Sequence, residues 1–298
     1  GGRGGGMAWV VAGRGGVGAV KPEVDGRAGV PGRAEGAAGG GDSGAAAVGT
    51  GVVVEGGCNI SRGTSGTVFI ASERFGVDRN NALHAFAHAD GGYHLMGCML
   101  SAASCNKWLM EDVFHTTDYA GEQAAIREDR LGANHVYFLP YLMGERSPIN
   151  DTNARGTFLG MTMDTARADL TQAALDGVAF AIRDSVEVAR SLGLEIRSSK
   201  LCGGGARSPL WRRILANVLN ITLESPASEP GPGMGGAMLA LVAGGADPDV
   251  KPVCEKPVSV ASVPEPEPAL AEKYEGRYRQ FRRIYPACKN LFAVLAED

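Results

Sequence analysis

The sequence lacks the features that mark disulfide-rich, metal-binding and membrane-spanning proteins. Its six cysteines form no CxxC pair and show no spacing typical of metal ligands, so we expect buried, reduced thiols. No apolar run is long enough to span a bilayer, and the N-terminal residues contain no continuous apolar signal segment followed by a cleavage site. We therefore predict a cytoplasmic protein that has no membrane partner.

A basic surface of the kind that binds nucleic acid is also missing. The formal net charge is −4, and the chain contains no basic block and no basic stretch interleaved with aromatic residues. These observations argue against a nucleic-acid partner. His84, His88 and His94 lie near one another in sequence but do not share a helical face, so they predict no metal site.

Glycine is abundant and unevenly distributed. The first 50 residues hold far more than their share of the 44 glycines, and neither helical nor strand periodicity is recognisable up to about residue 34. Such a stretch buries too little apolar surface to offset the entropy of ordering, so residues 1–38 are predicted to be poorly ordered. The 298 residues as a whole have an ordinary globular composition, with 44% hydrophobic and 21% charged residues.

Three glycine turns stand out from Gly39 onward. They are Gly39–Gly44 (GGGDSG), Gly63–Gly66 (GTSG) and Gly203–Arg207 (GGGAR). Glycine lets the backbone approach a bulky anion, and consecutive N–H groups in such turns can point together at phosphate oxygens. Asp42 ends a glycine run, where little side-chain bulk blocks access to its carboxylate. Any one of these turns is also compatible with a simple link between a strand and a helix, so the prediction of a nucleotide site depends on their combination.

The periodicity of the remaining chain predicts an α/β domain with a mixed sheet flanked by helices, from about Cys58 to the C-terminus. A long helix is predicted over residues 168–192, and Gly193 is its expected stop. A strand at 200–202, a glycine turn and a helix at 209–219 would place a helix N-terminus against a phosphate or a nucleoside. The other predicted strands are 52–54, 58–60, 67–70, 93–97 and 136–143, and the other predicted helices are 102–114, 118–130, 233–243 and 270–291.

Two segments are expected to be mainly structural. The region 252–268 is proline-rich and should be irregular, and the surface helix at 118–130 shows no recognisable chemistry.

Glu145 and Arg146 follow an apolar strand directly. Such a pair usually anchors a loop, although it can also line a cleft.

Several longer segments carry a resemblance to a known family. Gly156–Met161 (GTFLGM), followed by Asp169-Leu170 and then Ala173–Asp176 (AALD), fits the second signature of the FGGY carbohydrate kinases. The segments Tyr137–Pro148 and Met96–Cys105 are similar to that family as well, as is the turn Gly203–Arg207. The resemblance covers the chain from about Gly39 to the C-terminus.

The resemblance implies a two-domain kinase of the actin-like, ribonuclease-H-like type, with its active site in the cleft between the domains. Residues 58–298 then correspond to the C-terminal, nucleotide-binding domain. Residues 39–57 correspond to a remnant of the N-terminal domain that carries the catalytic aspartate turn, and the rest of that domain is expected to be largely absent. The expected reaction is the ATP-dependent phosphorylation of D-xylulose to D-xylulose 5-phosphate by a chain that is a truncated copy.

The resemblance also assigns roles to single residues. Asp42 would be the general base that takes the proton of the sugar hydroxyl, and Asp42 and Ser43 would contact the sugar. Ala103 and Lys107 fall where related glycerol kinases have nucleotide contacts, although the side chains differ. The expected ATP-binding residues are those of two turns, Gly63, Thr64, Ser65 and Gly66 on the phosphate side and Gly204, Gly205, Ala206 and Arg207 on the adenosine side.

The implied cofactors are ATP and Mg²⁺, the implied partner is a small sugar, and a homodimer is compatible with the resemblance. Two residues depart from the family pattern: Ser43 replaces an amide residue, and Arg62 stands where the family usually has an apolar residue on a buried strand. Burying an unpaired guanidinium would be costly. The alternatives are another FGGY sugar kinase of the gluconokinase or glycerol kinase type, or a non-catalytic nucleotide-binding remnant.

Overall fold

The computed structural model describes residues 11–21, 23, 34–226, 231–254 and 260–297. Much of the segment predicted to be poorly ordered lies outside these ranges, namely residues 1–10, 22 and 24–33. The strands of the described residues, in chain order, are β1 (Gly16–Ala19), β2 (Glu35–Ala37), β3 (Cys58–Arg62), β4 (Gly66–Ser72), β5 (His84–Ala87), β6 (Tyr93–Met99), β7 (Tyr137–Leu139), β8 (Thr157–Leu159), β9 (Ser198–Cys202), β10 (Thr222–Pro226) and β11 (Val260–Ser262).

The α-helices of the same residues are α1 (Asp42–Gly49), α2 (Ala103–Lys107), α3 (Tyr119–Ala124), α4 (Arg167–Ser191), α5 (Pro209–Leu219), α6 (Gly231–Ala243), α7 (Val250–Cys254) and α8 (Pro268–Leu295). A π-helical turn, Trp108–Val113, continues α2. Short 3₁₀ turns lie at Glu128–Arg130 and Gly204–Arg207.

Seven strands form the central mixed sheet, in the order β11-β10-β9-β3-β4-β6-β5. β3, β4, β6 and β5 pair antiparallel in that order, with β5 at the edge of the sheet, whereas β9 lies parallel to β3 and β10 lies parallel to β9. This arrangement confirms the predicted α/β class with a mixed sheet.

Alternation along β4 explains why both faces of the sheet are covered. Val68 and Ile70 point into the main core, while Phe69 and Ala71 pack with Ala47 of α1 on the other face. Successive side chains of a strand point to opposite faces, so an unbroken apolar run needs a layer on each side.

The long helix α4 forms the centre of the main core and confirms the helix predicted at 168–192. It contacts β4, β6, β7 and α5. Gly177 allows the closest of these approaches, because a Cβ there would lie 2.2 Å from the carbonyl oxygen of Phe138. Gly193 follows the helix with φ of +89°, as expected for a residue that stops it.

The terminal helix α8 packs over α4 and α5 and is tied down by buried polar groups. The Tyr274 hydroxyl donates to Asp176 Oδ1 over 3.0 Å, and Arg277 donates to the carbonyl oxygen of Val136 over 3.0 Å. Burial raises the pKa of Asp176 to about 6, although Arg277 and Tyr274 oppose the shift. These contacts link the C-terminal residues to the helix that supports the sheet.

Helices α1 and α6 meet through glycines. A Cβ on Gly235 would lie 1.7 Å from the carbonyl oxygen of Ala45, and a Cβ on Gly49 would lie 2.8 Å from the carbonyl oxygen of Gly231. At such distances the two backbones touch. Any side chain at Gly235 must therefore push the helices apart.

Several predicted elements need correction. Residues 52–54 form no strand, because the amide of Val52 donates to the carbonyl of Ala47 and the side chains of Val52 and Val53 fill two different apolar clusters. The segment 118–130 is not one helix but consists of α3 and a 3₁₀ turn. The helix predicted at 102–114 changes to a π-helical turn at Trp108. The irregular region 252–268 includes the end of α7 and strand β11.

Within the segment 1–38, which was predicted to be poorly ordered, Gly16–Ala19 forms a strand whose residues are all exposed. This strand pairs antiparallel with Glu35–Ala37, and the amide of Gly39 donates to the carbonyl of Gly13 over 2.8 Å. The pairing depends on backbone hydrogen bonds, and apart from Val17 and Glu35 its residues are glycine or alanine. It therefore leaves no hydrophobic period in the sequence that could have predicted it.

Replacing Gly235 by alanine is expected to destabilise the protein by about 1–3 kcal/mol, because the new Cβ overlaps the backbone of α1. The matched control is Gly236→Ala in the same helix, where a Cβ meets nothing within 4 Å. That control should be neutral or more stable by about 0.4–1 kcal/mol. Urea unfolding of both variants measures the difference, and equal midpoints would rule out the close helix contact.

Candidate functional site

The turn after β3 and the turn after β9 lie side by side at one edge of the sheet. The two strands are parallel neighbours, with Ser61 paired to Cys202, so their carboxyl ends face the same side. Ligands of open α/β sheets bind at such carboxyl ends. The tertiary structure thus brings together two glycine turns that are far apart in sequence.

A pocket of about 1130 Å³ opens between these turns. Of the residues predicted to bind ATP, Gly63, Thr64, Gly204, Gly205 and Arg207 line it, whereas Ser65 and Gly66 are not among its described lining residues. The side chain of Ala206 lies outside the described part of the structure. The opposite walls come from α2, α3 and the start of α5, and include Ala103, Lys107, Ala120, Gln123, Ala124, Ser208 and Trp211.

The Gly63–Gly66 turn is a tight hairpin held from behind by α2. Arg62 pairs with Gly66 across the hairpin, and the exposed Thr64 lies at its tip. The carbonyl of Thr64 accepts from the amide of Ala102 over 3.0 Å, and the carbonyl of Gly63 accepts from the amide of Ala103 over 3.0 Å. These bonds fix the orientation of the turn before any ligand binds.

Gly66 has a packing role rather than a contact role. A Cβ at this position would lie 2.5 Å from Cγ of Met99 on the neighbouring strand β6. The glycine therefore allows β4 to begin directly beneath Met99. This explains why a glycine of the predicted phosphate turn does not reach the pocket.

The second turn begins with Gly203, whose φ of +89° favours glycine. A Cβ on Gly203 would lie 2.7 Å from the carbonyl oxygen of Arg62, so the backbones of the two turns are in direct contact. The turn leads into α5, where the Ser208 hydroxyl accepts from the amide of Trp211 over 3.1 Å and Pro209 occupies the first turn. Ser208 and Pro209 line the pocket, so the N-terminus of α5 faces it.

Arg62 directly precedes the first turn and contacts the second turn. Its side chain is fully buried, donates from Nη2 to the carbonyl oxygen of Gly205 over 2.9 Å, and lies 4.4 Å above the ring of Trp211. The Nε and Nη1 atoms have no hydrogen-bond partner among the described residues. Burial, together with the nearby charge of Arg212, lowers the pKa of Arg62 to about 9. Arg62 is thus buried, as its place on the strand predicted. One hydrogen bond and the contact with Trp211 compensate part of the cost of burying its charge.

Asp42 and Ser43 lie elsewhere. They open α1, which packs on the face of the sheet opposite to the main core, and neither belongs to the described lining of the pocket. Asp42 is exposed, and Gly41 rather than Asp42 is the N-cap of the helix. A carboxylate in the first helical turn interacts favourably with the helix dipole. The described residues therefore do not join Asp42 to the two turns.

Sequence reasoning missed the contribution of α3. The segment 118–130 was expected to carry no chemistry, yet Tyr119, Ala120, Gln123 and Ala124 form a pocket wall. Gln123 Oε1 accepts from the Ser208 hydroxyl over 2.5 Å, which fastens α3 to the start of α5. No motif marks these residues, since only tertiary packing brings them to the site. Ala103 and Lys107, placed by resemblance alone, do line the pocket.

Glu145 anchors its loop rather than lining this pocket. Its Oε1 atom accepts from the amides of Leu100 and Arg146, each over 2.8 Å, and only 2% of the residue is exposed. Burial raises the pKa of Glu145 to about 7. Of the two readings left open for this charged pair, the structure favours anchoring.

The described ranges contain neither a metal-binding cluster nor a membrane-spanning helix. No group of three or more His, Cys, Asp or Glu side chains there is arranged to hold a metal ion. In that part of the chain, no helix combines the length and the apolarity that crossing a membrane requires. All six cysteines lie in it, and none forms a disulfide.

Comparison with known proteins agrees with this architecture. The chain is 37% identical to xylulose kinase from Escherichia coli (strain K12) over 285 residues, which are 93% of this chain and 57% of the relative. It is 32% identical to xylulose kinase from Staphylococcus epidermidis over 259 residues, covering 87% of this chain and 52% of the relative. The chain thus spans just over half the length of these curated relatives.

A solved structure shows the same fold. The crystal structure of a xyloylose kinase from Brucella ovis superposes with a TM-score of 0.87 at 36% identity, covering 94% of this chain and 58% of that chain. Residues 58–244 match the C-terminal domain of the FGGY family of carbohydrate kinases. The match covers well over half of the chain, and the fold is the actin-like α/β type predicted from the sequence. The chain therefore belongs to the FGGY family of carbohydrate kinases.

Proposed function

We propose that this chain supplies the nucleotide-binding part of a kinase that transfers the γ-phosphoryl group of ATP to D-xylulose and forms D-xylulose 5-phosphate. The observation that carries the proposal is the convergence of the Gly63–Gly66 and Gly203–Arg207 turns on one pocket. Family membership implies a kinase that uses ATP. The identity of the sugar is supported by relatives at 32–37% identity that are named xylulose kinases.

The pocket suits a nucleotide in size and in surface. Its volume of about 1130 Å³ is slightly above the range of about 300–1,000 Å³ typical of small-molecule sites. Ala103, Ala120, Ala124 and Leu210 form apolar walls on which an adenine and a ribose could lie. The glycine turns and the N-terminus of α5 supply backbone N–H groups for phosphates.

Phosphoryl transfer asks the protein mainly for positioning and for stabilisation of charge. In the proposed site Thr64 and the glycine turns hold the triphosphate, and Lys107, which lines the pocket with a largely exposed side chain, is a cation at its rim. Mg²⁺ bound to the triphosphate would neutralise part of its charge. The described residues form no carboxylate cluster for this ion, so no step is assigned to a metal held by the chain itself.

Asp42 is the proposed general base. It would orient the sugar hydroxyl toward the γ-phosphate and accept the proton of that hydroxyl late in the transfer, and Ser43 would contact the sugar. Its exposed position at the start of α1 leaves the carboxylate accessible. Because Asp42 lies outside the pocket, this role requires a sugar bound between α1 and the pocket.

We further propose that the protein acts in the cytoplasm, which the absence of disulfides among its six cysteines supports. A homodimer stays a prediction.

Filling the pocket wall is expected to weaken nucleotide binding. In Ala124→Trp the indole occupies space near α5, and we expect the Kd for MgADP to rise by about tenfold or more, that is, by about 1.4 kcal/mol or more. Ala125→Trp is the matched control, because the adjacent Ala125 is equally exposed but does not line this pocket. Isothermal titration measures both affinities. Equal affinities for the two variants would contradict the assignment of the pocket.

Removing the proposed base is expected to lower turnover. In a chimera in which this chain replaces the matching segment of the E. coli relative, Asp42→Asn should lower kcat with D-xylulose and MgATP by about 10²–10⁴-fold. KM for ATP should change little, since the lost interaction forms in the transition state.

Glu55→Gln serves as the control, because it removes the same charge from an exposed loop carboxylate. Steady-state kinetics separates the two variants. Near-normal turnover of Asp42→Asn would exclude Asp42 as the base.

A further inference from the structure

Arg62 supports the floor of the pocket between the two glycine turns. It is the last residue of β3, none of its surface is exposed, and its guanidinium lies over Trp211 at 4.4 Å while it donates to the carbonyl oxygen of Gly205. Both Trp211 and Gly205 line the pocket. A Cβ on Gly205 would meet the ring of Trp211 at 3.1 Å and Cβ of Arg62 at 3.2 Å, so these three residues form one packed unit.

Within the described residues, no opposite charge balances the guanidinium of this unit. In that part of the chain, no carboxylate forms an ion pair with Arg62, and the neighbouring charge that acts on it is the like charge of Arg212. Its Nε and Nη1 atoms are buried and have no acceptor in the same part of the chain. A buried guanidinium without a counter-ion is strongly unfavourable. An anion placed next to this unit would relieve that cost.

The pocket is the nearest place for such an anion. Arg62 directly precedes Gly63 and Thr64, the residues proposed to hold phosphate, and its contacts reach the turn that faces them. A charge beneath a protein surface acts through a low dielectric and is screened less by salt than an exposed one. Arg62 therefore has two effects on the pocket. Its guanidinium packs against the ring of Trp211, and the electric field of its positive charge acts on the pocket.

We propose that Arg62 is a specificity-determining residue that makes this pocket prefer phosphorylated nucleotides over uncharged nucleosides, because the bound phosphates balance its buried charge. The inference depends on the nucleotide site described under the proposed function. A neutral side chain of similar length could fill the same space and support the turn. The inference therefore assigns to Arg62 a second role, which depends on its charge. A neutral amide could also donate to the carbonyl of Gly205, so charge is the property that distinguishes the two roles.

The test compares Arg62→Gln with Arg62→Lys in the full chain. Gln keeps a donor for Gly205 and removes the charge, whereas Lys keeps the charge and removes the planar stack on Trp211. Isothermal titration at constant ionic strength measures the Kd of each protein for MgADP and for adenosine. We expect Gln to weaken MgADP binding by about tenfold, or about 1.4 kcal/mol, with adenosine binding unchanged. Lys should keep the wild-type ratio of the two affinities.

Thermal unfolding of the ligand-free proteins provides a second measurement. Replacing an unpaired buried charge by a neutral group is expected to leave Tm unchanged or to raise it. Arg62→Met is a second neutral variant in case the Gln variant does not fold, and it should show the same selective loss of MgADP affinity.

The outcomes separate the inference from the proposed function. If wild type and Arg62→Gln bind MgADP equally, or if the Gln variant loses both ligands to the same extent, the inference is wrong while the nucleotide site stands. If the wild-type chain binds neither ligand, the proposed nucleotide site is wrong and the inference fails with it.

Discussion

The parallel pairing of β3 with β9 is the constraint on which the rest of the site depends. The register that sets Ser61 opposite Cys202 places the carboxyl ends of both strands at one edge of the sheet. Their glycine turns then meet backbone to backbone, with Gly203 against the carbonyl of Arg62. A shift of one residue in this register would turn the side chains of β3 to the opposite face and separate the turns.

This pairing is held by layers on both faces of the sheet. On one face α4 lies against β4 and β6, and α8 is bonded to α4 through the buried Asp176. On the other face α1 packs on Phe69 and Ala71 of β4 and is itself in backbone contact with α6. The packed layers hold the turns in place before a ligand arrives, which lowers the ordering cost of binding. The site is therefore built on rigid elements: hydrogen bonds fasten the start of α2 to the Gly63–Gly66 turn and α3 to the start of α5.

Arg62 is a charged residue that is fully buried at the edge of an otherwise apolar core. The guanidinium recovers part of its solvation loss from one hydrogen bond and from a cation–π contact with Trp211. Two of its nitrogen atoms nevertheless remain without an acceptor in the described structure. In the proposed nucleotide site, this unbalanced charge would connect the energetics of the core to the preference for phosphorylated ligands.

The sequence by itself determined the α/β class, the long helix with its stop at Gly193, the helix that begins at Pro209 and the family. These features are encoded by local periodicity, by capping residues and by motifs that are contiguous in the chain. The tertiary structure alone decided that Gly63–Gly66 and Gly203–Arg207 share a pocket, that Tyr119–Ala124 forms its wall and that Gly66 serves packing. It also decided that residues 52–54 run as a loop and that Gly16–Ala19 pairs with Glu35–Ala37. In each of these cases the deciding contact joins segments that are distant along the chain or is made by backbone atoms alone, and neither kind of contact leaves a periodic trace in the sequence.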